Sequence, residues 1–135
     1  GRPCKSDCAP AENTVNNLKA LLKSWLPHNP LDDRTVICIP SQSSETWVVT
    51  ALFGTNDPGI LADIECSNVL ENYLAAKPAK ERLIRQKDGR FRKNTSRFKS
   101  SKGIISSKWN FVTEHCREAK KLERNIISTL VLLDL

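Results

Sequence analysis

The chain has 135 residues, 39% apolar and 27% charged, with 21 Lys and Arg against 15 Asp and Glu for a net charge of +6. This length suits one domain able to bury most of the surface its unfolded chain exposes. The longest uncharged apolar run, Asn125–Leu133, is far short of the ~20 residues a bilayer crossing needs, so no membrane span is expected.

In chain order, residues 1–10 read as a flexible N-terminal segment and residues 11–135 as a single domain. Ala11–Leu26 carries Val15, Leu18, Leu21, Leu22 and Trp25 on one stripe and reads as a helix stopped by Pro27 and Pro30. Thr35–Pro40 is short and β-branched and reads as a strand; Thr46–Phe53 reads as a second strand pairing with it in a small hairpin or as the opening of a helix, its β-branched start favouring the strand. The run Gly54–Gly59 is a break. Ile60–Ala76 then shows a helical period in Ile60, Leu61, Ile64, Val69, Leu70, Tyr73 and Leu74. Pro78 interrupts it, Lys80–Gln86 reads as a further helical turn or two, and Asp88-Gly89 marks a turn. Arg90–Gly103 reads as a loop or a pair of weak strands. From Ser106 or Ser107 a long helix is predicted to about Leu133, with Trp109, Val112, Cys116, Ala119, Ile126, Leu130 and Leu133 on its apolar stripe and Glu123 breaking it. The fold class predicted is α+β and mostly helical: a compact small domain with at most a small antiparallel hairpin and a long C-terminal helix.

The charge is unevenly placed along this plan. Residues 77–108 hold twelve of the Lys and Arg residues and only two acids, Glu81 and Asp88, about +10 locally; the rest carries nine basic and thirteen acidic residues, about −4. A basic arm on a mildly acidic body points to a polyanionic partner. The candidate nucleic-acid contacts in the arm are Arg82, Arg85, Lys87, Arg90, Arg92, Lys93, Arg97, Lys99, Lys102 and Lys108. Neutralising phosphates requires several cations along one surface, and Arg forks onto a phosphate or a guanine edge. Phe91 and Phe98 lie among these cations, an arrangement compatible with stacking on bases. The bland alternative is a solvated loop, but about ten net charges exceed what solubility requires.

Other constellations are weaker. Five cysteines form an odd, widely spaced set, and Cys38, Cys66 and Cys116 sit among apolar residues, so reduced core-type thiols and an intracellular, nuclear setting are expected. Cys4 and Cys8 have a metal-compatible spacing without a second close pair, so no metal or cofactor is expected. His115 beside Cys116 does not place a base on a thiolate when both lie on a helix, and Asp57, Asp63 and Glu65 lack a phosphate loop, so no enzyme is expected. Trp25, Trp47 and Trp109 read as core. The function expected is a nucleic-acid-binding domain, DNA rather than RNA, gripping the phosphate backbone through the Lys/Arg-rich arm. The alternative is an interaction or self-association module using the apolar C-terminal helix; separately, Ile126 and Leu130 are expected to be buried, in this domain's own core or in a homodimer. A third is a secreted, disulfide-containing ligand.

Overall fold

A short helix that is apolar on nearly every side makes the centre of the molecule. In α2 (Glu45–Phe53) the side chains of Thr46, Val48, Val49, Thr50 and Ala51 are all buried. Helices α3 (Leu70–Ala75), α4 (Thr95–Ser107) and α5 (Trp109–His115) pack around it. A helix surrounded in this way reads as a continuous apolar run without a moment, and β-branched residues do not prevent it once burial outweighs their small propensity cost. The Thr50 hydroxyl donates to the Thr46 carbonyl at 2.8 Å, which satisfies it inside the helix. The strand expected at Thr46–Phe53 is therefore a helix. Thr35–Pro40, left without that partner, is not a strand either.

The computed structural model describes residues 11–25, 35–40 and 44–134, so the expectation for residues 1–10 lies outside the described residues. The architecture is mostly helical α+β with one two-stranded antiparallel hairpin and a C-terminal helix. The first helix, α1 (Ala11–Trp25), forms where its period places it. Val15 on its stripe is buried, whereas Leu18, Leu21 and Trp25, the last 65% exposed, face solvent.

Ile60–Ala76 is not one helix. It splits into 3-10 turns at Pro58–Leu61 and Ile64–Cys66 and a short α3 (Leu70–Ala75), with Asp63 in the left-handed region at φ 55°. The break turns Glu65 inward. Its buried carboxylate accepts the backbone N–H of Arg117 at 2.6 Å and of Glu118 at 3.1 Å. Those amides open α6 (Arg117–Leu132), and a carboxylate there completes orphan donors and complements the helix dipole.

The predicted long C-terminal helix is two helices, α5 (Trp109–His115) and α6 (Arg117–Leu132), and a further helix, α4 (Thr95–Ser107), precedes them in the stretch read as a loop or weak strands. The chain turns at Cys116, whose backbone is extended at φ −118° and ψ 110°. The turn brings Trp109 against Trp47, edge to face at 5.7 Å, and its indole N–H donates to Glu123 at 2.7 Å. Glu123 interrupts the apolar stripe because it is this indole's acceptor. Gly54 permits close packing here: a Cβ would lie 2.9 Å from both Leu61 and Phe111.

Val49, Ile64, Leu74, Ile84, Val112 and Cys116 are the centre of the core, each essentially inaccessible. Burial of a large aliphatic side chain of this kind contributes about 1.5–3 kcal/mol. Trp47 and Trp109 pack against it in part, as expected, and Trp25 does not. The C-terminal half of α6 departs furthest from expectation. Ile126 and Leu130 are each 42% exposed, and Ile127, Val131 and Leu132 more so, so Ile126 and Leu130 are not in this domain's own core.

The three cysteines among the described residues differ in state. Cys116 is buried as expected, its sulfur 3.3 Å from the Thr50 hydroxyl. Cys38 is a free thiol at the surface and Cys66 is disulfide-bonded, neither being the buried reduced thiol that its apolar neighbours implied. Burial pushes the Cys116 thiol up from 9.0 to about 12, with the Thr50 hydrogen bond opposing and Glu65 reinforcing the shift. Its folded value lies above its unfolded one, so its contribution to stability is complete below pH 9 and fades as pH rises toward 12. Iodoacetamide at mildly alkaline pH is expected to modify Cys38 and to spare Cys116 until the fold is opened with denaturant, as peptide mass mapping can read. Equal labelling of both would contradict this burial.

Candidate polyanion-binding face

Two-residue turns of the I′ type need positive φ at both central residues, which Asp and Gly tolerate best. Asp88 and Gly89 adopt φ 53° and 73°, and the flanking residues pair as β1 (Ile84–Lys87) and β2 (Arg90–Lys93). Lys80–Gln86 thus ends in a strand rather than a helical turn. The register sets Ile84 opposite Lys93, Arg85 opposite Arg92, Gln86 opposite Phe91 and Lys87 opposite Arg90.

Side chains alternate across a strand, so this register sorts the basic arm by face. One face carries Ile84, Gln86, Phe91 and Lys93, with Ile84 buried in the core. The other carries Arg85, Lys87, Arg90 and Arg92, all exposed. Among the described residues none of these four makes an ion pair or a hydrogen bond to a side chain. They form two directly opposed like-charge pairs, an arrangement that destabilises a hairpin by a few tenths of a kcal/mol or more per pair.

The remaining cations do other work. Arg97 donates through Nη1 to the Ala79 carbonyl and, at 3.0 Å, to the Arg82 carbonyl. Arg82 Nε donates to the Lys77 carbonyl at 2.9 Å. Arg97 ties the 77–82 segment to the start of α4, and Arg82 closes that segment on itself. Lys93 pairs with the buried Glu45 carboxylate and stands 5.7 Å from the Phe98 ring. Lys108 reaches Thr55 Oγ1 at 3.3 Å. Lys99 and Lys102 are exposed on α4, whose other side turns Phe98 and Ile105 onto the core. Helix α4 was not expected. Its signal is Asn94, the N-cap, whose side chain accepts from the Arg97 amide at 3.2 Å, followed by Phe98, Ser101 and Ile105 at helical spacing.

The two phenylalanines do not lie among the four exposed cations of the hairpin. Phe91 lies on the hairpin face opposite the four exposed charges, and Phe98 packs against the core. Three serines of α4 are also committed: Ser100 and Ser101 donate to the Arg97 carbonyl and Ser107 to that of Ile104. The face offers charge and forked donors without a base-stacking platform.

Of the residues weighed for catalysis, Asp63, Glu65 and His115 line one cavity of about 330 Å³ together with Arg117, and Asp57 does not line it. The His115 ring stacks on Phe111 with centroids 4.5 Å apart, Asp57 accepts from the Tyr73 hydroxyl at 2.8 Å, and Glu65 caps α6. Among the described residues no three His, Cys, Asp or Glu side chains are grouped to hold a metal; Cys4, Cys8 and His28 lie outside them. No helix of the described residues is long and apolar enough to cross a membrane. Comparison of the chain with protein-family models, with curated proteins and with solved structures returns no match.

Proposed function

We propose that the chain is a nucleic-acid-binding domain that grips the phosphate backbone through the exposed face of the β1–β2 hairpin, in a binding rather than a catalytic role. The observation that carries this reading is the pairing of Arg85 with Arg92 and of Lys87 with Arg90 on one face without acidic partners among the described residues. Such pairs weaken the hairpin unless an anion lies across them, and a phosphate chain supplies one at each step. Lys99 and Lys102 extend the exposed positive surface onto α4. With no aromatic platform on that face, the contact is to phosphates rather than bases, and DNA is the polymer proposed first.

A salt titration of binding to duplex DNA, single-stranded DNA and RNA tests this. Engagement of four phosphates predicts a slope of log affinity against log salt near −3.6 on duplex DNA. A slope near zero, or no binding at low salt, would remove the reading.

A second reading is favoured by the bare apolar surface of α6, which suits a second copy of this chain better than water. Ile126→Ala and Leu130→Ala are then expected to cost the isolated domain under about 1 kcal/mol, since both side chains are already partly exposed. They are also expected to weaken any dimer seen by analytical ultracentrifugation. A large loss of stability in a strictly monomeric sample would place these residues in a core instead.

The disulfide at Cys66 supports the third reading, a secreted ligand, over a nuclear protein, because such bonds persist in oxidising compartments. In that setting the same cationic face meets sulfated polysaccharide. Tighter binding to heparin than to every nucleic acid at matched salt would favour that reading over ours.

A further inference from the structure

At the base of the hairpin, beside the exposed cationic face, lies a cavity of about 430 Å³ lined by Arg82, Arg85, Lys93, Asn94, Thr95 and Arg97. No acidic side chain lines it. Glu45, outside the lining, offsets Lys93, but the three guanidinium groups remain.

Two of those groups are held in place before any ligand arrives. Arg97 is fastened through Nη1 to the Ala79 and Arg82 carbonyls, and Arg82 through Nε to the Lys77 carbonyl. A guanidinium has five N–H donors, so each keeps others for a second partner. Fastening one edge removes most of the rotamer freedom that a long side chain loses on binding, so the unused edges are pre-organised for a planar or tetrahedral oxyanion. Arg85 belongs to both surfaces, since it lines the cavity and begins the exposed cationic face.

We propose that this cavity holds a phosphate monoester, the terminal phosphate of a nucleic-acid strand whose following phosphates run out along the hairpin face. A monoester carries nearly two negative charges and three free oxygens, which match several converging guanidinium groups. An internal diester has one charge and two free oxygens, a poorer match to several guanidinium groups around a recess that is open to solvent. The inference rests on the hairpin reading above for the identity of the strand, but the anion chemistry of the cavity is independent of it.

The test uses the full chain and a short single-stranded oligonucleotide, labelled at its 3′ end, with either a 5′-phosphate or a 5′-hydroxyl, measured by fluorescence anisotropy. The phosphorylated strand is expected to bind about tenfold more tightly. Inorganic phosphate should erase that preference without displacing the strand. Arg82→Gln should lose the preference, and so should Arg85→Gln, whose side chain makes no structural hydrogen bond and so guards against a folding defect. A Lys87→Ala, Arg90→Ala double variant should bind both strands more weakly and keep the preference. Binding of inorganic phosphate, followed by calorimetry and lost in Arg85→Gln, with no strand bound at all would support the cavity, assign it to a small phosphorylated molecule and sink the hairpin reading. Equal affinity for the two strands together with no heat from inorganic phosphate would overturn the proposal, whether or not salt-dependent strand binding survives.

Discussion

Replacing Arg85, Lys87, Arg90 and Arg92 together with Gln is expected to lower affinity for duplex DNA by about a thousandfold at about 0.1 M salt, and to remove most of the salt dependence. Each neutralised phosphate contributes about 0.9 to the salt slope, which is worth somewhat less than a tenfold gain at that concentration. The fold should not suffer. All four side chains are exposed and stand in opposed like-charge pairs, so their removal leaves stability unchanged or raises it by less than about 1 kcal/mol. Anisotropy titrations at several salt concentrations and a urea melt of the same variant measure both quantities. A variant that binds as tightly as the parent would show that the hairpin face is not the contact. One that unfolds would show that these cations are structural, as Arg97 and Arg82 are. Substituting those two, or Lys93, mixes the two effects, because each is tied to a carbonyl or to the buried Glu45.

The largest stability loss from one polar side chain is expected at Glu65. In Glu65→Ala the amides of Arg117 and Glu118 lose a charged acceptor inside the protein, and the link between the Ile64–Cys66 turn and α6 is cut. Hydrogen bonds to a charged group are worth about 1.5–3 kcal/mol each, and these two stand at the low end because Arg117 is itself exposed to solvent. A net loss of about 3 kcal/mol, or roughly 10 °C in Tm, follows for the pair. Glu65→Gln keeps one acceptor oxygen and the shape, and should lose less than half of that. Urea unfolding monitored by tryptophan fluorescence is a suitable readout, because Trp47 and Trp109 sit beside the helices this carboxylate joins. A loss below about 0.5 kcal/mol in Glu65→Ala would mean that α6 does not depend on the cap.

The features legible in the chain were those written in neighbouring residues. The period of Ala11–Leu26 yields α1, Asp88-Gly89 yields a turn with both φ angles positive, and the clustering of cations in residues 77–108 yields a positive surface. Even the sorting of that surface was present in the spacing, because a two-residue turn at Asp88-Gly89 forces Lys87 opposite Arg90 and Arg85 opposite Arg92. Contacts far apart in sequence decided the rest. Thr46–Phe53 has β-forming residues, yet it is a helix because helices on several sides bury it, and burial outweighs propensities worth only tenths of a kcal/mol per residue. The long helical period from Ser106 to Leu133 is cut at Cys116, and the carboxylate capping the restart at Arg117 comes from 52 residues upstream. Local pattern reports which face of a segment is apolar. It does not report which distant atom satisfies an end, and so neither the division of the cations into exposed and fastened ones nor the bare surface of α6 follows from the sequence alone.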